Sequence, residues 1–125
     1  MEILGLGVDL SDIDRVERVL EKYPRFAERC FTEHEREYAF RFAKPSRRLA
    51  ARFAGKEAVM KSLGVGWRGV GWQDIEITGG GKPTVNMFGR ARARADRIGV
   101  TDVLVTITHT DTSALVMAVA VGEHS

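Results

Sequence analysis

The chain has 125 residues, 44% hydrophobic and 29% charged; that is the size of one domain, read here as spanning 1–125, with enough apolar content for a core and too much for a disordered tail. No apolar run approaches the ~20 residues of a membrane span, the start Met1-Glu2-Ile3 lacks the basic segment of a secretory signal, and one cysteine, Cys30, excludes a disulfide framework and a cysteine-built zinc site. A reducing cytoplasm and no membrane partner are therefore expected, and the net charge of +2 is too small to name a partner by itself.

Ile3–Leu10 reads as a strand with Leu4, Leu6, Val8 and Leu10 on one face and Gly5, Gly7 and Asp9 on the other. Ser11 and Asp14 resemble a capping box for a helix whose apolar stripe is Ile13, Val16, Leu20 and Tyr23. Pro24 ends it or opens a short turn through Phe26 and Arg29. Thr32 caps a Glu-rich helix that stops before Pro45. The main helix is expected near Arg47–Leu63, capped by Ser46 and stopped by Gly64, with Ala50, Ala54 and Ala58 on one close-packing ridge. Gly64–Gly71 is a glycine-rich loop holding Trp67 and Arg68. Trp72–Thr78 and Pro83–Phe88 read as a hairpin about Gly79-Gly80-Gly81. A helix over Gly89–Arg97 and a last hairpin, Asp102–Thr108 with Ser113–Val121, complete the chain. The hairpins favour antiparallel pairing, so the fold class is α+β, a mainly antiparallel sheet packed with a long central helix.

The candidate chemistry lies at the element ends. Gly5-x-Gly7 is not a dinucleotide fingerprint, because its glycines sit inside a strand and the third is missing. Their use is clearance that opens the face of Asp9, whose carboxylate can bind a cation or help cap the following helix. Glu57 and Lys61 are spaced i, i+4, which suits either a surface ion pair or a magnesium–phosphate site. His109, at the end of the penultimate strand, shares a face with Val103, Val105 and Ile107 and reads equally as a core or turn histidine. Arg41, Lys44, Arg47, Arg48, Arg52, Lys56 and Lys61 are balanced only by Glu57 between positions 41 and 61, and Arg90, Arg92, Arg94 and Arg97 form a second basic cluster. A solvated helix face explains the first cluster, and an anionic partner is the alternative. Cys30 reads as a small buried hydrophobe.

Together, Gly5-Leu-Gly-Val-Asp9, Arg52-Phe-Ala-Gly-Lys-Glu57-Ala-Val-Met-Lys61, Gly81-Lys-Pro83 and Thr106-Ile-Thr-His109-Thr110 resemble the holo-acyl-carrier-protein synthases, the short 4′-phosphopantetheinyl transferases. The resemblance runs over nearly the whole chain. It implies transfer of phosphopantetheine from coenzyme A to a serine of apo acyl carrier protein, in fatty acid biosynthesis, releasing adenosine 3′,5′-bisphosphate. It implies Asp9 and Glu57 as Mg2+ ligands, Lys61 on the phosphates, and Glu57 or a metal-bound water as the base. Lys61, Lys82, Pro83, His109 and Thr110 would bind coenzyme A, and the Gly64–Gly71 loop would lie beside its adenosine. Arg15, Lys22, Arg25 and Phe26 would meet the acidic carrier protein. Active sites would lie between subunits of a homotrimer. Asp111 stays outside the implied metal shell, Arg52 and Lys56 carry little weight beside a basic helix, and Gly55 replaces the family's usual alanine. The competing class is a small basic RNA-binding module built on Arg47, Arg48, Arg52 and the 90–97 cluster. No RNA-recognition motif supports it, so no nucleic-acid partner is expected.

Overall fold

The computed structural model describes residues 1–123, so the final two residues of the expected 1–125 unit lie outside it. β1 (Glu2–Asp12), β5 (Ser113–Gly122) and β4 (Val100–His109) form an antiparallel sheet in the order β1-β5-β4. β2 (Ile75–Thr78) and β3 (Thr84–Met87) form a separate antiparallel hairpin. The helices are α1 (Ile13–Lys22), α2 (Phe26–Cys30), α3 (Glu33–Ala39), α4 (Pro45–Ser62) and α5 (Gly89–Arg97). The α+β expectation holds, with the sheet in two pieces. No helix among the described residues is long and apolar enough to cross a membrane.

The central helix α4 packs on β1 and β5 and is buried nearly all round. The Ala50, Ala54 and Ala58 ridge is fully buried, as the close-packing reading requires. Two apolar clusters meet along it. One gathers the sheet, α5 and the C-terminal half of α4; the other gathers α1 to α3 around Leu49, Ala50 and Phe31. Cys30 is buried in the second.

Strand β1 turns its glycines, not its leucines, toward α4. A Cβ at Gly7 would lie 1.9 Å from the Ala58 carbonyl oxygen, and one at Gly5 would lie 1.9 Å from that of Ser62. The clearance expected for a ligand is therefore filled by helix backbone. A register shift between Ile3 and Gly5 turns Leu4 inward, but Leu6, Val8 and Leu10 stay exposed on the outer face. Their strand partners there, Val119, Met117 and Leu115, leave a continuous apolar strip with Leu104.

Several caps and ends differ from the expected ones. Asp12, not Ser11, caps α1, accepting from the amides of Asp14 and Arg15 at 2.9 and 3.3 Å. Ser46 does not cap α4: Pro45 opens the helix, and the Ser46 hydroxyl is buried with no hydrogen-bond partner among the described residues. Pro at the first position replaces a cap there because it has no amide to satisfy. Thr32 caps α3 as expected, in a reciprocal box with Glu35. Trp72–Asp74 is a 3₁₀ turn, not strand, because the Asp74 carboxylate folds back to accept the Gly71 amide at 2.9 Å.

Candidate active site

The close approach of α4 to β1 positions the first group of functional side chains. With no Cβ at Gly7, the helix comes near enough for the Lys61 ammonium to donate to the Val8 carbonyl at 3.0 Å and to Asp9 Oδ1 at 2.9 Å. Lys61 thus pairs with Asp9, 52 residues away, rather than with Glu57 on its own helix. Asp9 does not cap α1; that role falls to Asp12. Glu57 lies one helical turn before Lys61 and shares a cavity of about 460 Å³ with Asp9. Burial, then the neighbouring Asp9 carboxylate, push Glu57 up to about 7, against the pull of Lys61 and Arg15. The hydrogen bond and charge of Asp9 push Lys61 upward.

Two carboxylates that repel one another when both are ionised form a hard-oxygen donor set suited to a divalent cation. No group of three or more ligating side chains occurs among the described residues. The Asp9 and Glu57 oxygens are a donor set of the kind that Mg2+ takes, one or two carboxylates with water and phosphate oxygens completing the shell.

Beside the polar Ser11, Asp12 and Arg15, the cavity has an apolar and aromatic side. Val16 and Val19 of α1, Phe26 of α2, Phe53 of α4, Trp67 and Trp72 line it. Phe53 and Trp72 stack with centroids 4.7 Å apart and planes 17° from parallel. Arg15 reaches it from α1, whereas Lys22 turns to the Tyr23 ring, 5.6 Å from its centroid. Arg25 immediately precedes α2 and Phe26. Of the four residues expected to meet a protein partner, Arg15 and Phe26 are thus brought to the carboxylates, and Lys22 and Arg25 flank them along the same two helices.

The second group occupies a different cavity, of about 340 Å³, lined by Tyr38, Arg47, Arg48, Arg52, Gly79–Gly81, Pro83 and His109. His109 is exposed at the end of β4 and is not a core histidine. Lys82 and Thr110 do not line the cavity; the Thr110 hydroxyl accepts from the Thr112 and Ser113 amides at 3.2 and 3.1 Å, shaping the turn beside His109. The sequence reading missed Tyr38 here and gave Arg47 and Arg48 to a solvated basic face or an RNA-binding surface rather than to this cavity. Arg48 and Arg52, spaced i, i+4, were the available signal. Arg48 stacks 3.6 Å from the Phe42 centroid, and Arg52 lies 4.6 Å from that of Tyr38 while donating to the Gly79 carbonyl.

The solvated basic face does not exist in the form expected. Arg52 is 5% exposed and Lys56 is fully buried. The Lys56 ammonium sits 2.7 Å from Glu35 Oε1 and also donates to the carbonyls of Trp72 and Ile75. Turning these two charges inward also removes them from any RNA-binding surface.

A family model described as the 4′-phosphopantetheinyl transferase superfamily matches residues 5–120. Among curated proteins, a holo-[acyl-carrier-protein] synthase of Caldanaerobacter subterraneus is 44% identical over 124 residues, covering 98% of this chain and 97% of that protein. Among solved structures, the holo-[acyl-carrier-protein] synthase of Neisseria meningitidis superposes with a TM-score of 0.85 at 31% identity, over 96% of this chain and 99% of that one. The Bacillus anthracis synthase, solved in complex with CoA (3′,5′-ADP), gives 0.78 at 29% identity over 97% and 98%.

Proposed function

The chain belongs to the 4′-phosphopantetheinyl transferase superfamily, and from that premise we propose that it moves 4′-phosphopantetheine from coenzyme A to a serine of apo acyl carrier protein. It is a holo-acyl-carrier-protein synthase by activity, acting in fatty acid biosynthesis in the cytoplasm as one 1–125 unit. The observation that carries this reading is the Asp9, Glu57 and Lys61 group at the mouth of an aromatic slot.

Asp9 and Glu57 would hold the metal ion. Bound there, Mg2+ supplies neutralisation of the pyrophosphate charge. The serine oxygen forms its bond to the β-phosphorus as the bond to adenosine 3′,5′-bisphosphate breaks. Lys61 shifts from Asp9 to the departing oxygen, where negative charge develops. Glu57, or water beside it, takes the serine proton; its place beside Asp9 in the slot, where burial and that carboxylate hold it near 7, supports that role. Arg47, Arg48, Arg52 and His109, with Pro83 beside them, bind the 3′-phosphate at the adenosine end of the coenzyme. Lys82 and Thr110 border that end from the adjoining turns. Arg15, Lys22, Arg25 and Phe26 receive the acidic carrier protein, with the arginines steering its approach.

Two observations favour a site shared between subunits of a homotrimer. The carboxylates and the arginine pocket lie in separate cavities of one chain. The outer sheet face exposes Leu6, Val8, Leu10, Leu104, Leu115 and Met117 together, a surface that a second copy would cover.

The test follows release of adenosine 3′,5′-bisphosphate from coenzyme A by chromatography. Release requires both apo carrier protein and Mg2+ and falls at least ~100-fold in Glu57→Gln. Release that proceeds equally without carrier protein contradicts the reading.

A further inference from the structure

We propose that Lys56 is a positioning residue for the transfer: it grips the main chain on both sides of the 3₁₀ turn and so fixes the Trp72 wall of the cavity that contains Asp9 and Glu57. The inference deepens the transferase reading and rests on it. Lys56 is fully buried and does not itself line that cavity. An ammonium has three protons to donate, and each has an acceptor. Glu35 Oε1 lies at 2.7 Å and the Trp72 carbonyl at 2.8 Å, and the Ile75 carbonyl takes the third. Trp72 opens the turn and Ile75 directly follows it. A buried ion pair is a weak source of net stability, since an apolar pair of similar volume often serves as well. Stability alone therefore gives no reason for a lysine here, whereas the two carbonyls it holds do.

One turn of α4 holds Trp72 twice. Phe53 stacks on its ring with centroids 4.7 Å apart, and Lys56, three residues later, holds its carbonyl. Glu57 is the next residue. Phe53 and Glu57 are spaced i, i+4, share a helix face, and both line the cavity. The aromatic wall and the carboxylate are thereby held to the same helical turn. Glu35 keeps the ammonium from drifting, because its own carboxylate accepts from the amides of Thr32 and Ile77. Lys56 takes no part in the bond exchange. Its contribution is that a hydroxyl entering between the wall and the carboxylates meets Glu57 and Asp9 in one arrangement, and a misplacement of about 1 Å at such a site can cost about 100-fold in rate.

The experiment compares the wild type, Glu35→Gln and Glu35→Gln/Lys56→Met. It reads release of adenosine 3′,5′-bisphosphate for kcat and KM, and thermal unfolding for stability. Glu35→Gln strands a buried ammonium but leaves its two carbonyl contacts. The double variant removes the charge and those contacts together. Removing one partner of a buried pair is strongly destabilising, whereas replacing both costs far less. The double variant therefore melts above Glu35→Gln, yet its kcat falls at least about tenfold below that of Glu35→Gln, with the KM for coenzyme A nearly unchanged. In a Trp67→Phe background Trp72 is the one remaining tryptophan, and acrylamide quenches its emission more readily in the double variant than in Glu35→Gln. Activity that follows melting temperature across the three proteins overturns the inference and makes the pair structural only. So does Trp72 quenching that does not differ, or a loss confined to the KM for coenzyme A. No release by the wild type overturns the transferase reading itself, and this inference with it.

Discussion

Glu57 and Asp9 share one cavity, and the charge each carries depends on the other. Glu57 has an unfolded-chain value of 4.5 and is held near 7 in the folded chain. Between those values the native chain keeps a proton that the unfolded chain has released, so stability falls as pH rises from about 5 to 7. In metal-free buffer, Glu57→Gln therefore melts above the wild type at pH 8, and the two converge near pH 5; a gap independent of pH would contradict the environment described. Asp9→Asn and Glu57→Gln both lose turnover by at least ~100-fold with unchanged circular dichroism, and substantial activity in either removes it from the site. Lys22 and Arg25 lie outside the cavity, so Lys22→Glu with Arg25→Glu raises the KM for carrier protein and weakens its salt dependence, leaving coenzyme A binding nearly unchanged. An unchanged KM would detach α1 and α2 from carrier recognition. That Glu57 and Lys61 share one helix face was legible from spacing alone, because four residues are about one helical turn. The Lys61–Asp9 contact was not, because nothing local connects positions 52 residues apart. Lys56 was misread for the same reason: a lysine beside other bases looks solvated until its partner, Glu35, is found on another helix.

Between elements, two contacts decide how α4 is held. The Lys56–Glu35 pair is fully buried, and Glu35 also accepts from the amides of Ile77 and Thr32, so α3, β2, the 3₁₀ turn and α4 meet at one ion pair. Burial draws the Lys56 ammonium below its usual range, and Glu35 opposes that pull. Lys56→Met leaves a buried carboxylate unpaired and costs about 3–5 kcal/mol in urea unfolding. Adding Glu35→Gln removes the stranded charge and recovers part of the loss; strictly additive effects would show that the pair is not coupled. On the other side, Gly7→Ala would drive a methyl group into the Ala58 carbonyl and lower stability by about 3 kcal/mol or more. It also pushes α4 away from Asp9, so activity falls with it. The glycines were visible as a sign of close approach, but not what approaches. Hydrophobic alternation located β1 yet could not say which face is inner, since its leucines point out and helix backbone covers its glycines. Capping chemistry was read correctly at Thr32, where donor and acceptor lie within one turn, and misassigned at Ser11, where Asp12 stands one residue nearer the helix.

At the scale of the whole molecule, the exposed strip over β1, β5 and β4 is the part of the surface least suited to water. Leu6→Glu with Met117→Glu places charges within that strip and yields monomers by analytical ultracentrifugation, with activity lost along with assembly; an active monomer would contradict the shared site. Because the carboxylates and the arginine pocket belong to different cavities, two inactive proteins should repair one another. Glu57→Gln mixed and reassembled with Arg48→Ala/Arg52→Ala regains about a quarter of wild-type activity at equal proportions, the share of sites combining both intact halves in a cyclic assembly. The α+β class and the order of elements were readable because each helix and hairpin carries its own stops, whereas the outward apolar face becomes apparent only once the strands are paired. The most direct test of the proposed function is the intact mass of an apo acyl carrier protein after incubation with this protein, coenzyme A and Mg2+, beside an EDTA control. A gain of one phosphopantetheine, abolished by EDTA and by Glu57→Gln, is the expected result. An unchanged mass, with coenzyme A bound and several carrier proteins tried, would contradict it.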